Sequence, residues 1–176
     1  ITIAGRVLMN SHANRSEVAL AEAGCRGLAG RAAPRVLVGG LGMGCTLRAA
    51  LDALPADAEV LVAEIEPAIE RWCRGELAGL NRRALADARV EVVIEDVARV
   101  IARRADSPAL PRFDCILLDL FEGPHAGTQP GADPFYGSRA LGRSFRALAP
   151  GGVLAVWSEA PDTGFEQRLG RAGFRV

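Results

Sequence analysis

The chain has 176 residues, 49% of them apolar, and sets 21 acidic against 21 basic residues for a formal net charge of zero. That length suits one domain with its own core, and the balanced charge, with no long run of one sign, argues against a general nucleic-acid surface. Every one of the 21 basic residues is arginine, which excludes a P-loop lysine and a Schiff-base lysine and the reaction classes that need them.

In chain order, residues 1–9 alternate around a turn and predict a short strand or the end of a hairpin. Ser16 to Leu28 has a helical pattern, with Ser16 placed as N-cap and Glu17 near the positive end of the helix. Residues 30–34 break the pattern. A strand over 35–39 runs into a glycine-dense turn and then a helix from about Cys45 to Leu54. A second strand is expected at 59–65, and Pro67 opens a helix with Ile69, Trp72 and Cys73 on one side. Strand, helix and strand follow at 89–94, 97–104 and 113–118. A Gly/Pro-rich loop spans 123–134, a helix 138–148, a turn Pro150-Gly151-Gly152, a strand 153–158 and a helix 165–172, with 174–176 starting a further strand. Strands alternating with helices give an α/β fold, and continuous apolar strand runs imply a mostly parallel sheet covered on both faces.

The turn between the first strand and helix reads Gly40-Leu41-Gly42-Met43-Gly44. Glycines there allow close backbone approach, and a helix N-terminus beside them offers unpaired N–H groups, so the turn fits a nucleoside site; tight packing alone is the other reading. Glu64 closes the next apolar run, 20 positions after Gly44. An acid at that distance is placed to accept from ribose hydroxyls, or else is a solvent-facing strand end. The G-x-G-x-G spacing has Cys45 where a dinucleotide G-x-G-x-x-G starting at Gly40 needs glycine, and is closer to S-adenosylmethionine (SAM)-dependent transferases.

Parallel sheets bind ligands beyond the carboxyl ends of their strands, and here those ends carry Glu64, Glu95-Asp96, Asp119 and Ser158-Glu159. Carboxylates gathered there repel each other unless a cation sits between them; a sulfonium with an amine, or a polyamine, supplies one. Cys25, Cys45, Cys73 and Cys115 have no metal-binding spacing; Cys115 reads as a buried strand thiol, and Cys45 as a small filler or a ligand-facing group. His12 and His125 have no helical spacing that would favour a shared metal. His125 is a candidate substrate-binding base or an exposed loop residue. Tyr136 is a candidate substrate contact or a packing residue. Trp72 and Trp157 read as core or interface residues, or Trp157 as a ligand contact. With neither a signal-peptide pattern nor an apolar run of membrane length, the expectation is a soluble, cytoplasmic protein.

Taken together, these segments resemble the spermidine synthase (polyamine aminopropyltransferase) family within the class I SAM-dependent methyltransferase superfamily. The resemblance rests on Val36 to Leu47 with Thr46-Leu47-Arg48, on Glu64-Ile65-Glu66-Pro67, on Asp96-Val97, on Phe113 to Asp119 and on Pro150 to Leu154. A segment of residues 1–30 would then lead into a nucleoside-binding catalytic domain of residues 31–176. The fold implied is the Rossmann-like SAM-methyltransferase fold, truncated at both ends. The resemblance implies that Gly40, Gly42 and Gly44 cradle the nucleoside, that Glu64 holds the ribose and that Asp96 meets the adenine amino group. Asp119 would orient the attacking amine and help take its proton, with Glu122 as the second acid of that loop. SAM or decarboxylated SAM would be the co-substrate, without a metal, and the assembly a homodimer.

Three departures from the family pattern stand out. Met43 occupies the position of the family's amine-binding Asp, the D-S-S-D loop reads Asp119-Leu120-Phe121-Glu122, and Asn10-Ser11-His12 stand where the family has its polyamine-gripping Gln and Tyr. The expected activity is aminopropyl or alkyl transfer to an amine. The alternatives are a small-molecule SAM-dependent methyltransferase and a catalytically silent, dimeric nucleoside-binding protein.

Overall fold

The computed structural model describes residues 2–3, 6–7, 14–120, 123–124 and 132–176. Two short strands, β1 (Thr2–Ile3) and β2 (Arg6–Val7), pair antiparallel as a separate ribbon, as the alternation predicts. Thereafter the order is α1 (Arg15–Cys25), β3 (Arg35–Gly39), α2 (Cys45–Ala53), β4 (Glu59–Glu64), α3 (Pro67–Arg74), a 3-10 turn (Ala84–Ala86) and β5 (Val90–Ile94). It closes with α4 (Val97–Asp106), β6 (Phe113–Leu118), α5 (Ser138–Ala147), β7 (Leu148–Val156) and α6 (Thr163–Ala172).

Strands β3 to β7 form one parallel five-stranded sheet in the order β5-β4-β3-β6-β7. The chain enters at the middle, builds outward to β5, then crosses back to place β6 on the other side of β3. The crevice between the ends of β3 and β6 is therefore the switch point where ligands settle in such sheets.

Period-2 alternation divides the core into two layers. Val36, Val38, Val60, Val62, Cys115 and Leu117 face one way, against Ala21 and Cys25 of α1 and Leu47, Ala50 and Leu51 of α2. Leu37, Ala63, Ile116 and Leu118 face the other way, against Val97, Val100 and Ile101 of α4, Leu141 of α5 and Phe165 of α6. Both faces are covered, which is why the strands read as unbroken apolar runs.

Carboxylates set several helix starts. Glu66, Asp96 and Asp162 accept from the N–H of Ala68, Ala98 and Phe165 at the heads of α3, α4 and α6, each cap contributing ~1 kcal/mol. α1 differs from expectation: it begins after Asn14, without a side-chain cap, and the Ser16 hydroxyl donates instead to Glu17 Oε2 at 2.6 Å. β7 also differs. It starts at Leu148 and carries Pro150-Gly151-Gly152 within it as a bulge. Leu148 pairs with Phe113 and Val153 with Cys115, so β7 advances five residues while β6 advances two. Trp72, read as core or interface, is 43% exposed and so lies outside the core. Residues 174–176 form no strand. Among the described residues no helix is long and apolar enough to cross a membrane.

Candidate functional site

The glycine turn leaves β3 at the centre of the sheet. Gly40, Gly42 and Gly44 have φ of +87°, +52° and +81°, a left-handed region that other L-residues enter only at a cost. Two of these glycines also make room for the protein itself. A Cβ on Gly40 would lie 2.4 Å from the Asp119 carbonyl oxygen, and one on Gly44 would lie 2.8 Å from Asn81 Cβ. Gly44 is the N-cap residue of α2, with no side-chain hydrogen bond to the free N–H groups of that helix.

Glu64, the last residue of β4, is 8% exposed and points at this turn. Its Oε2 accepts from the Leu41 N–H at 2.9 Å and its Oε1 from the Glu66 N–H at 2.8 Å. It is therefore buried and bonded rather than a solvent-facing strand end, and each oxygen keeps a second acceptor position. Next to it stand two exposed apolar side chains, Ile65 (69%) after β4 and Ile94 (43%) at the end of β5. Asp96 follows β5 and uses Oδ1 to cap α4 through Ala98 N–H at 2.8 Å.

On the other side of the switch point, Asp119 follows β6, fixed by its N–H donating to the Gly39 carbonyl at 3.0 Å. Its Oδ2 accepts from the Thr46 hydroxyl on the first turn of α2 at 2.5 Å. Burial raises the Asp119 carboxyl above the ordinary carboxylate range, the Thr46 bond draws it partly back, and the nearby Glu17 charge adds to the rise. Cys45 lies beside this group, half-buried, its thiol raised by burial and by the charges of Glu17 and Asp119. Thr46 and Glu17 escape sequence reasoning as site residues; the helical pattern gives their elements but not which acids they face.

Tyr136 is 2% exposed, its ring edge-on to Phe165 at 5.8 Å and tilted against Phe135 at 6.0 Å. It thus lies in the core layer with Leu118, Leu141 and Phe165. Met43 is buried, 6% exposed. Trp157 is half-buried, its main-chain N–H donating to the Leu118 carbonyl at 2.9 Å. Glu122, His125, His12, Asn10 and Ser11 lie outside the described residues. Among the described residues no cluster of His, Cys, Asp and Glu is arranged to hold a metal ion.

The chain is similar in sequence to curated polyamine aminopropyltransferases. The polyamine aminopropyltransferase of Mycobacterium tuberculosis (strain ATCC 25618 / H37Rv) is 32% identical over 126 residues, 72% of this chain and 23% of that protein. The polyamine aminopropyltransferase of Aeropyrum pernix is 31% identical over 122 residues, 69% of this chain and 36% of that protein. The chain is spermidine synthase-like. No family model matches it. It spans 23% to 41% of the length of the curated relatives it matches. Among solved structures, the spermidine synthase of Thermotoga maritima superposes with a TM-score of 0.66 at 21% identity, over 89% of this chain and 51% of that one. Human methyltransferase-like protein 13, in complex with SAH, gives 0.62 at 22% identity, over 89% and 68%. These two likenesses concern the fold, the Rossmann-like arrangement of SAM methyltransferases and spermidine synthases.

Proposed function

We propose that this spermidine synthase-like chain is the nucleoside-binding core of a transferase that moves an aminopropyl or other alkyl group from a SAM-type sulfonium donor to an amine. One observation carries the reading: Glu64 and Asp119, from strands on either side of β3, meet at its carboxyl end, Glu64 bonding the glycine turn at Leu41 and Asp119 bonding Thr46 on the first turn of the helix that follows it.

The residues present fit such a donor. Glu64 offers two remaining acceptor positions to ribose hydroxyls, Ile65 and Ile94 offer apolar surface to a purine face, and the outer oxygen of Asp96 offers an acceptor to its amino group. Gly42, with the uncapped start of α2, leaves backbone N–H groups open to the ligand. When bound, the donor supplies an electrophilic carbon on a positively charged sulfur and a neutral thioether leaving group. Asp119 does the rest of the work in this reading. Its carboxylate holds the acceptor's ammonium, takes one proton and leaves a neutral nitrogen whose lone pair forms the new C–N bond as the C–S bond breaks. Thr46 fixes the carboxylate so that the nitrogen is held in line, and such positioning supplies much of the acceleration. Glu122 would be the second acid of this site, and a homodimer is the assembly the family likeness favours.

A second reading, methyl transfer from intact SAM, is favoured by Met43. A buried thioether provides no counter-charge for the bare amine tail of decarboxylated SAM. The test is the variant Asp119→Asn, assayed by mass spectrometry with each donor and a diamine. Turnover should collapse while nucleoside affinity stays within about twofold. Unchanged turnover would remove Asp119 from the chemistry, and a wild-type chain that binds nucleoside without turnover would leave the silent, binding-only reading.

A further inference from the structure

We propose that Cys73 and Asn81 are positioning residues that hold the glycine turn in its ligand-receiving shape; the inference rests on the nucleoside reading of that turn. Neither residue lies on a strand end, and neither would touch a ligand in the turn.

The turn needs such support. Three of its five residues are glycines in the left-handed region, and glycine loses more conformational freedom on ordering than any other residue. A turn left to itself would sample other shapes, and ligand affinity would fall in proportion to the fraction correctly formed. The structure anchors it at three successive points. Glu64 takes the Leu41 N–H at 2.9 Å. Cys73, on α3, donates its thiol to the Gly42 carbonyl at 3.2 Å. Asn81 packs against Gly44 so closely that a Cβ there would meet its Cβ at 2.8 Å and its Nδ2 at 3.1 Å.

Cys73 and Asn81 form one unit. Asn81 is fully buried; its Nδ2 donates to the Cys73 carbonyl at 3.2 Å and its Oδ1 accepts from the Ala84 N–H at 3.1 Å. The two residues after it, Arg82 and Arg83, have φ of +49° and +56°. Left-handed backbone is costly for a non-glycine residue, and this segment accepts it twice in succession while keeping Asn81 behind Gly44. Burial pushes the Cys73 thiol up to about 11, so it keeps the proton it donates throughout the neutral range.

The test uses Cys73→Ala, Cys73→Ser and Asn81→Ala, with 5′-methylthioadenosine as calorimetric probe and amide hydrogen exchange at Leu41 and Gly44 in the free chain. A thiol is a weak donor, so Cys73→Ala should bind ~2–5-fold more weakly and its two amides should exchange faster by a similar factor. Cys73→Ser, which restores a donor, should recover most of both losses. Asn81→Ala should bind at least ~10-fold more weakly. Equal losses in the alanine and serine variants, or unchanged exchange and affinity in Cys73→Ala, would overturn the inference and leave Cys73 as packing. A wild-type chain that fails to bind the probe would overturn the nucleoside reading and the inference together; binding that all three variants retain would overturn the inference alone.

Discussion

The substitution Glu64→Gln separates two roles that one carboxylate combines. In the native chain its two oxygens accept from two main-chain N–H groups, Leu41 at 2.9 Å and Glu66 at 2.8 Å, in a setting 8% exposed. Glutamine has almost the same shape, but only its oxygen accepts; its NH2 faces the other N–H as donor to donor. One hydrogen bond to a charged group is lost, at ~1.5–3 kcal/mol, and the other is weakened to the neutral kind. In a domain of this size each kcal/mol moves the melting point by ~2–4 °C, so Glu64→Gln should melt ~3–12 °C lower. The same change removes the charged acceptor proposed for the ribose. Affinity for 5′-methylthioadenosine should fall by ~10-fold or more, since a hydrogen bond to a charged group is worth at least one decade. Differential scanning calorimetry and isothermal titration on the same samples give both numbers. A melting point within 1 °C of wild type would refute the claim that Glu64 locks the turn, and unchanged affinity at a lowered melting point would refute its ribose role alone.

Three further outcomes follow from the site and its surroundings. Because burial holds the folded-state Asp119 carboxyl above its unfolded range, this group favours the folded state most at low pH, and that contribution is lost as pH rises through the folded value. Asp119→Asn should therefore melt above wild type at pH 7, with the gap closing as pH falls toward 4; a gap that widens on acidification would contradict the assignment. Thr46→Val removes the hydrogen bond that draws Asp119 back down, so the acid limb of the turnover–pH profile should move to higher pH, and an unmoved limb would mean that Asp119 does not set it. Arg82→Gly and Arg83→Gly should each raise stability by ~1 kcal/mol in urea titrations by relieving left-handed backbone. The exposed Arg82–Asp52 ion pair contributes little to offset this, and destabilisation by both substitutions would contradict the strain argument.

How much the amino-acid sequence reveals depends on how local the cause is. β3 and β6 follow from their apolar runs, ended by a glycine turn and an acid, and the strand ends place Glu64, Asp96 and Asp119 at one edge of the sheet. Where tertiary contacts decide, the sequence misleads. Pro150-Gly151-Gly152 has the residues of a turn, yet pairing with β6 carries the strand through it as a bulge. Ser16 has the side chain of a cap, yet its hydroxyl goes to Glu17 and the N-cap falls two residues earlier, at Asn14. Trp72 shares a helix with Cys73 but faces outward. The segment after α3 continues the helical spacing at Leu77 and Leu80, yet the helix ends at Arg74. Its conformation comes from Asn81 bonding to Cys73 and Ala84, so the anchoring of Gly44 is visible only in three dimensions. For the same reason Thr46 was legible as a helix residue but not as the partner of Asp119.

The central claim is that the glycine turn, Glu64 and Asp119 form a site for a SAM-type donor. It is tested most directly by calorimetric titration of the chain with decarboxylated SAM, SAM and 5′-methylthioadenosine. Methylthioadenosine and at least one sulfonium donor should bind saturably, with decarboxylated SAM preferred for aminopropyl transfer and intact SAM for methyl transfer. No binding of any of the three would contradict it and leave the turn as scaffold.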